Sequence, residues 1–208
     1  MNKVMKMWML AAILILSGAI MVGCQNKPDD TVKKSVDKGG IEAPAETKAD
    51  VVDMKACCKA VDDYLVNEIG QHYSQGDVCI PYAFLVSTDN GNPEDILFWG
   101  DFWVFNYNLS GDTLKTVSGG NHPGLMHVKK TDDGYVVTNF DAVEDGAGNL
   151  ESAKRIFGDK FDVYQEISSL QEKREDMRRR FTADYVKEHG LSATMIQDYG
   201  WPAVNLPE

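Results

Sequence analysis

The stretch from Ile96 to Leu109, ILFWGDFWVFNYNL, constrains the fold of this chain more than any other. Apolar side chains, with Trp99 and Trp103 among them, occupy both phases of the two-residue period along which a strand alternates its faces. A strand with one face in water alternates apolar and polar residues, so this pattern indicates a strand that is covered on both faces. The chain therefore needs a sheet with this strand at its centre.

An amphipathic helix is predicted before this strand, between Asp53 and Tyr73. The apolar residues there follow steps of three and four and form one stripe: Met54, Cys58, Val61, Leu65 and Ile69. Asp50 or Asp53 is suited to cap the start of the helix. Val78 to Thr88 is then predicted as a strand that lies at an edge or contains a bulge, because Pro81 has no N–H to donate to a ladder.

Further strands are predicted before and after the Gly/Pro-rich segment at residues 118–124. Gly100 favours a bulge or a close backbone approach in the central strand. The segment SGGNHPG, residues 118–124, is so rich in Gly and Pro that we expect it to be irregular. Leu125 to Lys130 and Tyr135 to Val143 are predicted to form a hairpin, since they are joined by a Thr-Asp-Asp-Gly turn. Sequential strands with short turns imply an antiparallel meander.

Helices are predicted after the sheet. A short one covers Leu150 to Phe157, and a longer one carries an apolar stripe until Gly190 ends it: Val163, Ile167, Leu170, Met177, Phe181 and Tyr185. Ser192 is expected to open one further turn. The run from Gln171 to Phe181 alternates acidic residues with arginines, which is typical of a solvated helix face. A contact with phospholipid or an acidic partner is the alternative.

The first 24 residues, MNKVMKMWMLAAILILSGAIMVGC, have a basic start, an apolar body and Gly23 directly before Cys24. This is the layout of a secretory signal peptide. Its end resembles the lipobox of bacterial lipoproteins, in which the cysteine is diacylated on sulfur and becomes the new amino terminus. The resemblance implies a signal peptide over residues 1–23 and lipidation at Cys24. An uncleaved anchor and ordinary cleavage are the alternatives.

The domain organisation follows from a change of composition. Residues 24–49 combine the lipidated cysteine with a segment of Lys, Asp, Pro, Gly and Thr that cannot offset the entropy of ordering. A flexible chain of about 25 residues spans roughly 28 Å, so we expect a tether. Residues 50–208 are expected to form a single α+β domain: an N-terminal helix packed on a curved antiparallel meander of about four strands, with additional C-terminal helices.

This order of a helix followed by a meander resembles the cystatin-like and NTF2-like superfamily over residues 53–143. The segment GGNHPGLMHVKKTDDGYVVTNFDAVEDG, with the SAKRIFG that follows it, also resembles the closing part of small uncharacterised bacterial lipoproteins. The superfamily implies a sheet that wraps around the helix and leaves a concave pocket. The glycine-rich QxVxG pattern with which cystatins inhibit proteases is absent from the sequence.

Charge and cysteine usage limit the partners. The 32 acidic and 21 basic side chains give a net charge of −11, which repels phosphate backbones and argues against nucleic acid. Cys57, Cys58 and Cys79 have no spacing that would hold zinc. We expect the thiols to be free and buried, with a bridge from Cys57 or Cys58 to Cys79 and a catalytic thiol as alternatives. No metal or cofactor is predicted.

Three residues are candidates for acid/base chemistry. Asp101 lies inside the most apolar run of the chain, where a carboxylate costs several kcal/mol unless it is paired. His122 and His127 flank a Gly/Pro loop, and Asp141 can approach them from the neighbouring strand. For each residue a structural role is the alternative. The signatures of the better-marked enzyme classes, such as GxSxG, HExxH and the P-loop, do not occur.

The expected function is therefore that of an envelope lipoprotein, lipid-anchored to a membrane on the exported side. Its domain is predicted to be a non-enzymatic module that binds a small apolar ligand, a peptide or another envelope protein. Trp99, Trp103 and Phe105 are predicted to include core anchors, while Trp99, Trp103 and Tyr107 are the candidate ligand-binding residues. The competing hypothesis is an NTF2-like enzyme that uses Asp101 with His122 or His127.

Overall fold

The computed structural model describes residues 52–208, which form an α+β fold with a mixed six-stranded sheet. The α-helices are α1 (Met54–Tyr64), α2 (Asn149–Phe157), α3 (Phe161–Ser169) and α4 (Gln171–Glu188). The strands are β1 (Val78–Asp89), β2 (Ile96–Ser110), β3 (Thr113–Thr131), β4 (Gly134–Ala142), β5 (Met195–Gln197) and β6 (Val204–Asn205). The predicted signal peptide, Cys24 and the predicted tether lie outside the described residues. No helix among residues 52–208 has both the length and the apolar character needed to cross a membrane.

The strands β1 to β4 pair in sequence order and antiparallel. The predicted α+β class is confirmed, but the sheet has six strands rather than about four. The prediction of a helical turn after Ser192 is wrong, because Met195–Gln197 instead pairs parallel with the start of β3. Since β3 is 19 residues long, its outer edge pairs with β5 near one end and with β4 near the other.

The central strand β2 is covered on both faces, as predicted. Phe98 and Phe102 point to one face, where they pack with Val61 and Leu65 of α1 and the turn that follows it. Trp103 points to the other face, where α4 covers it. Because neighbouring residues of a strand face opposite sides, β2 contributes side chains to the hydrophobic cores on both faces of the sheet. We call the face under α2, α3 and α4 the closed face.

Helix α1 begins where the sequence predicts. The Asp53 carboxylate accepts hydrogen bonds from the backbone N–H groups of Lys55 and Ala56, at 3.0 and 3.2 Å. Both groups lack partners inside the helix, so Asp53 is the N-cap. After Tyr64 the helix continues as a π-helical turn, Leu65–Ile69, and a 3₁₀ turn, Gly70–His72.

The edge strand β1 is confirmed, and the bulge lies on it rather than at Gly100. Leu85 pairs with Gly100 and Ser87 with Trp99, so Val86 is the extra residue. The close backbone approach predicted at Gly100 is confirmed, since a Cβ there would lie 3.1 Å from the Phe84 carbonyl oxygen. The same Cβ would lie 3.0 Å from the Phe102 ring, so a larger residue would require these neighbours to shift.

The Gly/Pro-rich segment 118–124 is a regular part of β3, so the prediction of an irregular loop is wrong. It pairs with β2 from Ser118, opposite Asn106, onwards. A Cβ on Gly119 would lie 2.4 Å from the Val104 carbonyl oxygen, and the glycine adopts φ +151°. The glycine is therefore required by a neighbouring backbone rather than by a turn.

The long C-terminal helix is divided at Leu170, so the prediction of one continuous helix is also wrong. Leu170 leaves the helical region with φ −85° and ψ 57°. Just before it, Ser168 and Ser169 bond back to carbonyls of their own helix at 3.0 and 2.7 Å, which competes with continuation of the helix. Arg174 Nη1 donates to the Ser168 carbonyl oxygen at 2.8 Å and so joins the two helices.

Candidate functional site

Asp101 lies on the closed face and forms an ion pair with Arg174 of α4. Its side chain is 2% exposed and that of Arg174 is 11% exposed. Arg174 Nη2 donates to Asp101 Oδ2, and the guanidinium lies 4.6 Å from the centre of the Trp103 ring. The predicted cost of a carboxylate in the apolar run is thus offset by an arginine that is 73 residues away in sequence.

Burial still dominates the ionisation of Asp101. Desolvation raises the pKa of this carboxyl above its ordinary value, although the Arg174 charge opposes the shift. Among the described residues, Asp101 Oδ1 and Trp103 Nε1 have no hydrogen-bond partner within bonding geometry. The pair is therefore closed off from solvent but not fully satisfied.

A second buried arginine holds the C-terminal segment to the sheet. Arg178 is 4% exposed, and its two terminal nitrogens donate to Asp198 at 2.5 and 3.3 Å. Arg178 Nη1 also lies 3.5 Å from the hydroxyl of the fully buried Tyr107. Tyr107 and Tyr82 share a hydrogen bond of 2.8 Å, which continues to Thr182 at 2.9 Å. Tyr107 is part of a structural network on the closed face.

Arg174 and Arg178 are exceptions to the predicted solvated face of the run from Gln171 to Phe181, whose exposed charged residues are Glu172, Lys173, Asp176 and Arg180. Arg174 and Arg178 are one helical turn apart, and they continue the stripe of Phe181 and Tyr185 at steps of four and three. That spacing was the available signal for their burial. The charge alternation of the run gives no indication of this burial. Asp198 lies too far along the chain for a sequence pattern to identify it as the partner of Arg178.

Trp99 and Trp103 both contact helices of the closed face. Trp99 is half-buried, its Nε1 donates to the Ile156 carbonyl oxygen at 3.0 Å, and Lys160 Nζ lies 4.4 Å from its ring. Trp103 is 6% exposed and packs on Phe84, with ring centres 4.7 Å apart. Both side chains are used in packing α2, α3 and α4 on the sheet.

His122 lies on the opposite face from Asp101. It pairs directly with Phe102, the neighbour of Asp101, so it faces the side that α1 covers. Its Nε2 is 3.0 Å from the hydroxyl of Tyr73. Burial lowers the pKa of His122, and the negative charges of Asp101 and Asp145 act against this shift. Asp101 and His122 therefore do not converge on one cavity.

His127 occupies a third place, at the surface. Its Nδ1 lies 2.8 Å from Asp95 Oδ1, and its Nε2 lies 3.3 Å from Asp141 Oδ2. The predicted approach of Asp141 is confirmed, and Asn139 holds the other oxygen of that carboxylate at 3.0 Å. Among residues 52–208, no group of three or more His, Cys, Asp or Glu side chains is arranged to hold a metal ion.

Cys79 does not form the disulfide with Cys57 or Cys58 that was considered as an alternative. Cys79 and the fully buried Cys57 are free thiols, so Cys79 is linked to neither of the adjacent cysteines of α1. Burial raises the pKa of both thiols, to about 11 for Cys57. A raised pKa leaves little nucleophilic thiolate at neutral pH.

A groove of about 370 Å³ runs along the edge strand β1, and we call it the edge groove. It is bounded by α1 with the turn that follows it on one side and by α4 on the other. Its floor is formed by Cys79 and Pro81 of β1. The remaining lining residues are Lys55, Lys59, Asp62, Asp63, Val66, Asn67, Phe181, Tyr185, Glu188 and His189.

The charges of the edge groove are only partly paired. Lys59 and Asp63 form an ion pair at 2.6 Å, one turn apart on α1. Within the described part of the chain, no hydrogen bond or ion pair engages the side chain of Asp62 or that of Glu188. Burial raises the pKa of Asp62 to about 7, and the charges of Asp63 and Glu188 add to the shift while the Lys59 charge opposes it. The groove thus places two unpaired carboxyl groups from different helices near each other.

A second cavity, of about 480 Å³, lies between β3, β4 and α2. Its charged groups are already engaged, because Asp141 binds His127 and Asn139 while Arg155 lies 3.3 Å from Glu144. The edge groove differs in having both space and unengaged charge. It is therefore the candidate functional site. No family model, curated protein or solved structure matches this chain.

Proposed function

We propose that this protein is a non-enzymatic binding module of the cell envelope whose ligand occupies the edge groove. The observation that carries the proposal is an open volume of about 370 Å³ with an aromatic wall and unpaired carboxyl groups. Small-molecule sites usually measure roughly 300–1,000 Å³ and combine apolar walls with a few polar groups. Phe181 and Tyr185 supply the apolar wall, and the charged residues of α1 line its rim.

The proposal places this module on a membrane. We propose that Cys24 is diacylated, that the mature chain begins there and that residues 25–49 tether the domain on the exported side. The lipobox resemblance and the composition of the tether support this placement. Mass measurement of the purified amino terminus tests it, and an unmodified Met1 would contradict it.

We also propose that α1 and the meander form a cystatin-like or NTF2-like fold. A cystatin-like or NTF2-like wrap of the meander around α1 agrees with the packing of Val61 and Leu65 against Phe98 and Phe102. In that superfamily the concave side of the sheet holds the pocket. Here α1 fills that side, and the open volume lies at the edge strand instead. Fold analogy alone therefore does not locate the ligand.

The enzyme alternative has weaker support from the geometry. A general acid and base must reach one substrate within hydrogen-bond distance. Asp101 is engaged by Arg174, His122 faces the other side of the sheet, and His127 is held by two carboxylates at the surface. Each of the three has a structural role that accounts for its position.

A capture experiment with a blocked groove tests the binding function. The full chain is purified from its native envelope in a nonionic detergent, and bound small molecules are identified by mass. Val66→Trp places a large ring in the edge groove, and Val136→Trp, on the exposed surface of β4, is the matched control. We expect a small molecule to co-purify with the wild type and Val136→Trp but not with Val66→Trp. Retention by Val66→Trp, or absence from all three, contradicts the proposal.

A further inference from the structure

We infer that the edge groove binds an organic cation with an apolar body, an inference that rests on the proposed binding function. Asp62 of α1 and Glu188 of α4 reach the groove from opposite sides of the edge strand. The Glu188 charge raises the pKa of Asp62, so the two carboxylates repel each other, and a cation between them removes that repulsion. A ligand with a positive group therefore satisfies what the protein leaves unsatisfied.

The aromatic wall is the second element of this site. Phe181 and Tyr185 lie one turn apart on α4, and both line the groove. The faces of aromatic rings carry negative charge density that attracts ammonium groups. The Tyr185 ring stacks on His189 with centres 3.8 Å apart, and His189 Nδ1 lies 2.9 Å from the Tyr185 carbonyl oxygen. This stacking holds the ring in place.

The other charged groups of the groove only partly offset these carboxyl groups. The Lys59 charge lowers the pKa of Asp62, but the Lys59 ammonium is bound to Asp63 at 2.6 Å and the pKa of Asp62 stays raised, at about 7. Lys55 lies two turns before Asp62 on the same helix, about 10 Å along the helix axis. Among the described residues, no ion pair joins Lys55 to the Asp62 or Glu188 carboxyl group.

The half-buried position of Asp62 makes this binding depend on pH. Its pKa of about 7 means that the carboxyl is mostly protonated in mild acid and ionised above neutrality. A bound cation favours the ionised form, so the affinity rises as the pH rises through about 7. By linkage, each unit by which the cation lowers this pKa can weaken binding about tenfold in acid.

Three probes with one phenyl body separate charge from shape: 2-phenylethylamine, neutral 2-phenylethanol and anionic phenylacetate. Binding to the full chain is measured by calorimetry in a nonionic detergent and phosphate buffer, because amine buffers compete. We expect the amine to bind at least about tenfold more tightly than the alcohol at about pH 8, and more weakly at about pH 5.5. Phenylacetate is expected to bind least.

Variants identify the group that is responsible. Asp62→Asn should weaken amine binding at about pH 8 and remove most of its pH dependence, whereas Asp132→Asn, which removes the same charge from the exposed turn between β3 and β4, should change the affinity less than threefold, or roughly 0.6 kcal/mol. Equal loss in both variants, or pH dependence retained in Asp62→Asn through His189, overturns the role of Asp62.

The possible failures are distinct. Equal binding of the amine and the alcohol overturns the inferred charge but leaves the binding function standing. Tighter binding of phenylacetate overturns the cation and assigns the site to the lysines. If no probe binds, the cation inference is wrong, and the capture experiment with Val66→Trp decides the proposed function separately.

Discussion

The closed face and the edge groove differ in whether their carboxyl groups have ion-pair partners. On the closed face, Asp101 meets Arg174 and Asp198 meets Arg178, so each carboxylate has a guanidinium. In the edge groove, Asp62 and Glu188 line one open volume, and neither carboxyl group forms an ion pair within the described part of the chain. Pairs of the first kind, in which the arginine is largely buried, fix how a helix lies on a sheet. An unpaired arrangement next to open space is instead what a ligand can complete.

The same helix takes part in both regions. Arg174 and Arg178 lie in the first half of α4 and hold it to the sheet. Tyr185 and Glu188 lie in the second half and line the groove. The ion pairs therefore position the groove wall, and the two regions can be separated by substitutions along one helix.

The largest expected effect is on the closed face, at Trp103. Trp103→Ala removes a ring that is 6% exposed and packed on Phe84 and Arg174, and should lower the free energy of unfolding by about 3–5 kcal/mol. Trp201→Ala is the control, since its ring is 72% exposed, and should change stability by less than about 0.5 kcal/mol. Denaturant unfolding measures both. Equal effects would show that the closed face is not a core.

Removal of one member of the Asp101 pair should have the next largest effect. Arg174→Met leaves the carboxylate buried without a guanidinium, which should cost about 3 kcal/mol at neutral pH. The double variant with Asp101→Leu should recover most of that loss, because no buried charge remains. A double variant that is as unstable as Arg174→Met would contradict the ion-pair account.

That loss should also depend on pH. The pKa of Asp101 is already raised by burial, and without Arg174 it rises further. A raised carboxyl pKa in the folded state means that stability is greatest below the ordinary carboxyl pKa and is lost as the pH rises. Arg174→Met should therefore be closer to the wild type in acid than at neutral pH. A loss that does not change between mild acid and neutrality would contradict this account.

Asp62→Asn should have a smaller effect, of opposite sign. The pKa of Asp62 is raised from 3.8 to about 7, so folding loses stability as the pH rises across that window. The amide cannot ionise, and the variant should be more stable than the wild type by about 1 kcal/mol at about pH 8, allowing for solvent screening. Near pH 4 the two should agree. Asp132→Asn, which removes the same charge from an exposed turn, is the control, and a similar gain there would make the effect one of net charge.

The smallest effect on stability is expected for Val66→Trp. This substitution fills open volume rather than displacing core atoms, so the free energy of unfolding should change by less than about 1 kcal/mol. Denaturant unfolding beside Val136→Trp checks this expectation. A loss of several kcal/mol would mean that Val66 belongs to the core and that the groove is narrower than described.

Much of the fold could be predicted from periodicity. The central strand, the edge strand at Pro81, the Asp53 cap and the Thr131 to Gly134 turn all follow from local patterns. Local composition was misleading at residues 118–124, because Gly119 is needed where the Val104 carbonyl of another strand approaches. Such a contact between distant residues leaves no periodic signal.

The candidate site could be predicted to a much smaller extent. The position of Asp101 inside the apolar run indicated a special role for this carboxyl group. Its partner Arg174, however, belongs to a helix whose charge pattern indicates solvent exposure. The edge groove depends on the position of α1 relative to α4, which no motif encodes. Asp62 and Glu188 are ordinary acidic residues of amphipathic helices until the fold brings them together.

The reactivity of Cys79 tests the central claim most directly, because this free thiol lies in the floor of the edge groove. The rate of its alkylation by iodoacetamide is read from the mass of the peptide that carries it, in the full chain at about pH 8. Free glutathione in the same solution controls for the reagent. The account predicts that 2-phenylethylamine slows alkylation of Cys79 and that phenylacetate does not. Equal rates with and without the amine would contradict it.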